Sequence, residues 1–205
     1  MENISEKRQR AIDWANEIVS YVDNDPRPIV KCKESRPITD IKDMLVSSVE
    51  LFGDNVCYMQ KWDPKGEFES ITYKETLADV NGLGTWMMDK GLTGEKIAVI
   101  GPNCYQWCIT YLAVTCGIGC IVPLDKELSA EELKSQIIRS EANAVIFDRK
   151  HQDVFKQIMA GGDTQLEALI NMDADEETDG VYALMQVKEE GKKLIAGGNM
   201  DYINA

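Results

Sequence analysis

The sequence is short of histidine, short of positive charge and free of long apolar runs. Its 205 residues hold one histidine, and 22 basic side chains face 35 acidic ones, for a formal net charge of −13. A field of that sign repels polyanions and excludes a general nucleic-acid binder. It also argues against docking on an anionic membrane by charge. No stretch reaches the roughly 18 uninterrupted apolar residues of a membrane span. The longest attempt, Trp107 to Leu124, is broken by Thr, Gly and Pro. The opening MENISEKRQR carries both charge signs with no apolar stretch behind it. It does not read as a signal peptide, and a cytoplasmic protein is expected.

Several chemical signatures are missing too. The turn after the first apolar strand reads GPNCYQW, so GxGxxG is absent. No GxxxxGK followed by Ser or Thr occurs. Gly91–Lys96 imitates one but precedes a strand, where a phosphate loop must follow it. There is no Ser/Thr/Gly-rich flavin loop, no GxSxG elbow and no carboxylate pair nominated by spacing. The receiver-domain pattern also fails, lacking an acidic pair after the first strand and a Lys after the last. His151 lies in the charged run DRKHQD without an evident partner, and a solvent-exposed residue is expected. No catalytic residue and no metal ligand is nominated. The acidic run 173–179 lacks the Gly and Glu of a calcium loop and reads as a solvated loop. The six cysteines (32, 57, 104, 108, 116 and 120) are expected to be reduced. The last four lie among large apolar residues, so packing as small hydrophobes is expected rather than a zinc knuckle.

What is present is a sequence of alternating elements. Ala11, Ile12, Ala15, Ile18, Val19 and Val22 recur at helical spacing and predict a helix over 5–22, stopped by Pro26 and Pro28. A second amphipathic helix is predicted over 40–52, with Ile41, Met44, Leu45, Val49 and Phe52 on one side. Strands are predicted at 55–60 and 67–73 around the turn WDPKG. Thr72-x-x-Glu75 is a capping box opening a helix over 74–90. Gly82 and Gly84 inside it predict close packing against a neighbour. From Gly91 on, short apolar strands (96–101, 120–124, 144–147, 166–172) alternate with helices (105–115, 129–140, 150–160, 181–194). The tail GGNMDYINA reads as a linker. Non-alternating apolar strands between helices mean a parallel sheet covered on both faces. The expected fold is α/β, doubly wound and mostly parallel, preceded by helices and a small hairpin. The expected domains are 1–37, a helix with a proline-containing linker, and 38–205, an α/β subdomain. Ligands in such sheets sit beyond the carboxyl ends of the strands. Here those ends carry Asn103, Pro123, Asp125 and Asp148, although Asn103, Asp125 and Asp148 also read as helix-capping residues and Pro123 as a turn former.

As a set, these features resemble the N-terminal part of AMP-forming acyl-CoA synthetases, members of the adenylate-forming superfamily. The resemblance spans about 38–172. Ile71-Thr72-Tyr73 looks like the family's strand-to-helix entry, followed by Gly91-Leu92 and Gly94-Glu95-Lys96 before the first sheet strand. Asn103 and Trp107 match its N-x-x-x-W helix start. Gly117, Gly119, Val122 and Pro123 resemble its turn into the next strand, and Ser129 opens the usual next helix. The WDPKGEFESITY hairpin is more similar to long-chain fatty-acid members. The family's phosphate loop ending Pro-Lys-Gly, its Tyr-x-x-Thr-Glu motif, its ribose-binding Asp and its late catalytic Lys are absent. The resemblance therefore implies the front portion of a fatty-acid–CoA ligase. The parent would use ATP, Mg²⁺ and coenzyme A on a fatty or related carboxylic acid. This chain alone would bind none of them and turn nothing over. Asn103, Pro123 and Asp125 would face the substrate crevice, and an apolar surface left by truncation could drive self-association. The alternatives are a non-catalytic binding domain, or an adenylating enzyme for another acid.

Overall fold

The computed structural model describes residues 37–205, together with Gln9, Ile12, Asp13 and Asn16, which are helical. The rest of the predicted helix 5–22, the proline segment after it and Cys32 lie outside the described residues. Residues 38–205 form one compact unit.

The unit opens with helix α1 (Ile41–Phe52). The Asp40 carboxylate accepts the Asp43 N–H at 2.7 Å, satisfying a donor the helix cannot use. Only Leu45 of its predicted apolar side is buried, and Met44 and Phe52 are exposed. Strands β1 (Val56–Gln60) and β2 (Glu69–Thr72) pair antiparallel, with an irregular register between Val56 and Tyr58. Helix α2 (Tyr73–Asp89) starts at the predicted capping box: Glu75 N–H donates to Thr72 Oγ1, and Thr72 N–H donates back to Glu75 Oε2.

Five parallel strands follow: β3 (Lys96–Ile100), β4 (Cys120–Pro123), β5 (Ala144–Phe147), β6 (Ala168–Asn171) and β7 (Tyr182–Ala183). Their spatial order is β4-β3-β5-β6-β7. The intervening helices are α3 (Tyr105–Ala113), α4 (Ala130–Ser140) and α5 (Gln152–Ala160), and α6 (Leu184–Ala196) and α7 (Asp201–Asn204) close the chain. Side chains alternate across β3. Ile97 and Val99 enter one core with Leu83, Trp86 and Ile109, whereas Ala98 and Ile100 enter the other with Leu133, Ile137 and Phe155. The two cores are why the strands carry no polar face. The predicted α/β class and doubly wound sheet are the ones observed.

Glycine sets the helix packing on the first of these faces. A Cβ at Gly82 would lie 2.6 Å from the Lys188 carbonyl oxygen, and one at Gly191 would lie 1.8 Å from that of Gly82. Helices α2 and α6 thus touch backbone to backbone, the close packing predicted for Gly82. Gly84 makes room for Tyr202, whose ring a Cβ would meet at 2.2 Å.

Four expectations need correction. The GGNMDYINA tail is not a linker: α7 brings Tyr202 to 0% exposure, and its hydroxyl donates to the Ala113 carbonyl at 2.8 Å. One aromatic anchor supplied the burial that composition hid. The segment 181–194 first adds β7 to the sheet edge and only then turns helical, since two residues of strand carry no period to read. Helix α3 ends in a π-helical turn, Val114–Ile118, with non-helical backbone at Gly117. Finally, the thiols are not uniformly core. Cys116 is buried, Cys57, Cys104 and Cys108 are half-buried, and Cys120 is exposed on the sheet-edge strand β4. All five are free, and burial pushes the thiol pKa up at Cys57, Cys104, Cys108 and Cys116. Among the described residues no helix is long and apolar enough to cross a membrane.

Candidate functional site

The strand order puts a reversal of winding beside β3. The chain moves from β3 outward to β4, then returns past β3 to β5. Helices leaving β3 and β5 diverge to opposite faces there, opening a crevice at the carboxyl ends of the two strands. Three turns meet at this point: Gly101–Cys104 after β3, Asp148–His151 after β5, and Met172–Asp173 after β6. A Cβ at Gly101 would lie 3.4 Å from both Asp148 Cβ and Met172 Cε, so the floor is already in van der Waals contact.

The polar groups of these turns are tied to one another. Asp148 and His151 are both buried, at 7% and 8% exposure, and the imidazole Nδ1–H is bonded to Asp148 Oδ1. This corrects the expectation of an exposed, unpartnered histidine. A short helical turn over Arg149–His151 folds the ring back onto the carboxylate three residues earlier. The arrangement orients the ring through Nδ1. The Arg149 N–H donates to Asp173 Oδ2 at 2.8 Å, and its guanidinium donates to the Asp173 carbonyl. Asp173 N–H donates to Asn171 Oδ1 at 2.8 Å, and Asn171 Nδ2 donates to Gln152 Oε1 at 2.7 Å. Beside this lattice a cavity of about 530 Å³ is lined by Arg149, Gln152, Asn171, Asp175, Glu176 and Thr178.

The three residues nominated from the sequence lie at the same end of the sheet but carry none of these bonds. Asn103 is exposed in the β3–α3 turn, just before Cys104, the N-cap residue of α3. Pro123 is the exposed last residue of β4. By the parallel ladder its nitrogen points away from β3, where a proline costs no sheet hydrogen bond and blunts the open edge. Asp125 accepts the Glu127 N–H at 3.0 Å, a local turn. The buried pair Asp148–His151 and the Arg149–Asp173 stitch were missed. The sequence placed Asp148 at a strand end, but DRKHQD read as an exposed charged run and 173–179 as a solvated loop, so neither pairing was legible.

Asp148 and Asp173 place carboxylates at the crevice, and the guanidinium present is engaged by Asp173. Among the described residues no three His, Cys, Asp or Glu side chains converge as metal ligands.

A second polar cluster lies on the α2–α6 side. Asp79 (7% exposed) receives Lys188 at 2.9 Å, Lys192 at 2.6 Å and the Tyr105 hydroxyl at 2.8 Å. Burial pushes the Tyr105 phenol well up, and the Asp79 charge adds to it. Burial draws Lys192 down, but its bonds to Asp79 and Glu189 outweigh that and leave its pKa raised. Tyr58, packed edge-on to Tyr105 at 5.4 Å, is pushed up to about 12 by burial and then by Cys108.

A family model described as AMP-binding enzyme matches residues 46–196, a span holding the hairpin, all five parallel strands and both polar clusters. The chain belongs to the AMP-binding enzyme family. Solved structures share the fold of this unit. A long-chain-fatty-acid-CoA ligase from Archaeoglobus fulgidus superposes with a TM-score of 0.65 at 22% identity, over 78% of this chain and 31% of that one. An anthranilate CoA ligase in complex with anthranoyl-AMP gives 0.63 at 13% identity, over 76% and 28%. The luciferase-like enzyme of the mealworm Zophobas morio gives 0.62 at 16% identity, over 79% and 37%. The chain thus spans about a third of the length of these structures. No curated protein sequence matches it.

Proposed function

We propose that residues 38–205 form the framework subdomain of an AMP-forming acid–thiol ligase acting on a fatty or related carboxylic acid. The parent reaction joins acid and ATP into an acyl-adenylate with release of pyrophosphate. Coenzyme A thiol then displaces AMP. The observation that carries this reading is the family match over residues 46–196. The fold neighbours include ligases named for a fatty acid and for anthranilate at nearly equal TM-scores, so the fold supports the reaction class more than the acid.

In this reading the chain contributes shape. The carboxyl-end turns, with Asn103, Pro123 and Asp125 along their rim, form one wall of the crevice. The Asp148–His151 and Arg149–Asp173 bonds keep that wall in one conformation, which positioning of two reactants requires. In this reading the wall's Arg149 guanidinium is spent on the Asp173 carbonyl, beside two carboxylates, and the cationic groups that an α-phosphate needs at the moment of attack come from elsewhere in the parent. The proposal therefore assigns ATP, Mg²⁺ and coenzyme A to the parent.

The test is pyrophosphate release from ATP with a panel of fatty and aromatic acids. The 205-residue chain is expected to stay at background with every acid. A longer polypeptide that includes it is expected to turn over one class. Turnover by the 205 residues alone would refute the framework role, and a longer polypeptide active on none of the acids would refute the ligase reading.

A further inference from the structure

Between the β1–β2 hairpin, α2, α6 and the start of α3 lies a second cavity, of about 320 Å³. Two lysines (188 and 192) and three carboxylates (Asp79, Glu69 and Glu75) line it, with Trp62. Neither the ligase reading nor the family match gives it a role.

The hydrogen-bond count inside it is uneven. Lys188 is 5% exposed, yet among the described residues its three-donor ammonium makes one hydrogen bond, to Asp79 at 2.9 Å. Its other anionic neighbour, Glu189, is 3.6 Å away, beyond hydrogen-bond range. Asp79 already accepts from Lys188 and Tyr105 on Oδ2 and from Lys192 on Oδ1. A buried ammonium with unmatched donors is costly and calls for an acceptor. On the walls the imbalance is reversed. Among the described residues Glu75 uses Oε2 on Thr72 and keeps Oε1, and the exposed Glu69 has neither oxygen engaged. The hairpin aromatic Trp62, 41% exposed, lies perpendicular to Tyr105 at 6.2 Å and lines the cavity.

We propose that this cavity binds a small zwitterion of the α-amino-acid type. Its carboxylate accepts from Lys188 and Lys192, and its ammonium faces Glu69 and Glu75 against Trp62. A simple anion would meet Glu69 and Glu75 with no compensation, and a simple cation would leave the Lys188 donors unmatched. A molecule carrying both charges answers both. Its side chain has Ile71 and Ala78 as an apolar wall, and the volume is at the small end of ligand pockets, roughly 300 Å³ and upward. The inference stands apart from the ligase reading, since it uses none of the carboxyl-end residues.

The test is a thermal-shift screen of the 205-residue chain against the twenty protein amino acids, followed by calorimetric titration of the best. At least one is expected to raise Tm by about 2 °C or more near saturation. The deaminated acid and the decarboxylated amine of that same amino acid are expected to do nothing. Trp62→Ala, at an exposed position, is expected to weaken binding about tenfold. Lys188→Met should abolish it. The proposal is overturned if no amino acid shifts Tm, if the deaminated acid binds equally well, or if Trp62→Ala binds as the parent chain does. Because the Trp62 variant leaves the buried ion cluster intact, a folding defect in Lys188→Met does not blunt the test.

Discussion

Replacing Asp79 by Ala should be among the most damaging changes this fold can suffer. The carboxylate holds two ammonium groups and one phenol, drawn from α3 and α6 onto α2. The three donors lose it unequally. Lys192, with 33% side-chain exposure, keeps its 2.8 Å bond to Glu189 and can turn toward water. Lys188, with 6%, retains Glu189 at 3.6 Å and is left largely buried between α2 and α6, facing only the small cavity beside them. Those helices touch through Gly82 and Gly191, so little slack exists. Removing one partner of a buried ion pair costs about 3–5 kcal/mol, most of it the stranded charge. For a chain of this size that is a fall in Tm of roughly 6–20 °C. Urea unfolding followed by far-UV circular dichroism measures the loss. Asp79→Leu with Lys188→Met, which removes the charge along with its partner, should recover at least half of it. A loss below about 1 kcal/mol for Asp79→Ala would show that the cluster is hydrated rather than buried, and the reasoning would fail.

Two further outcomes are expected. Tyr202→Phe removes only the hydroxyl bonded to the Ala113 carbonyl and should cost about 1 kcal/mol in a urea titration, whereas Tyr202→Ala, which empties the space between Gly84 and Gly117, should cost about 3–5 kcal/mol; near-equal small losses would mean that α7 does not dock. The Ser129 hydroxyl, and then its N–H, hold the Glu132 carboxyl below its usual range. A folded-state pKa below the unfolded one gives stability that is present above the unfolded value and lost as pH falls through the folded one. Glu132→Gln should therefore lose less stability than the parent chain when pH is lowered from 7 through the usual glutamate value of about 4.3, and parallel urea midpoints for the two chains would contradict this.

Local chemistry made much of the architecture legible. The capping box at Thr72 starts α2, because it needs only four consecutive residues to satisfy its own donors. Non-alternating apolar strands announced a sheet covered on both faces, and the parallel arrangement followed from the helices between them. Gly82 inside a helix announced a neighbour at backbone distance. These readings succeed because the interacting groups are neighbours in the chain, or because burial imposes a period.

Only the tertiary structure decided the rest. His151 is buried because a short turn folds it onto Asp148 where β3, β5 and β6 end together, and nothing in the run DRKHQD marks that meeting. Tyr202 docks 89 residues from its hydrogen-bond partner, in a cleft that glycines on α2 and in the π-helical turn create. Asp79 and Lys188 stand 109 residues apart, and each alone reads as an ordinary charge on a helix. A one-dimensional pattern records which residues repeat along a face. Pairings across long loops depend on where strands and helices come to rest, and that is settled by packing rather than by spacing.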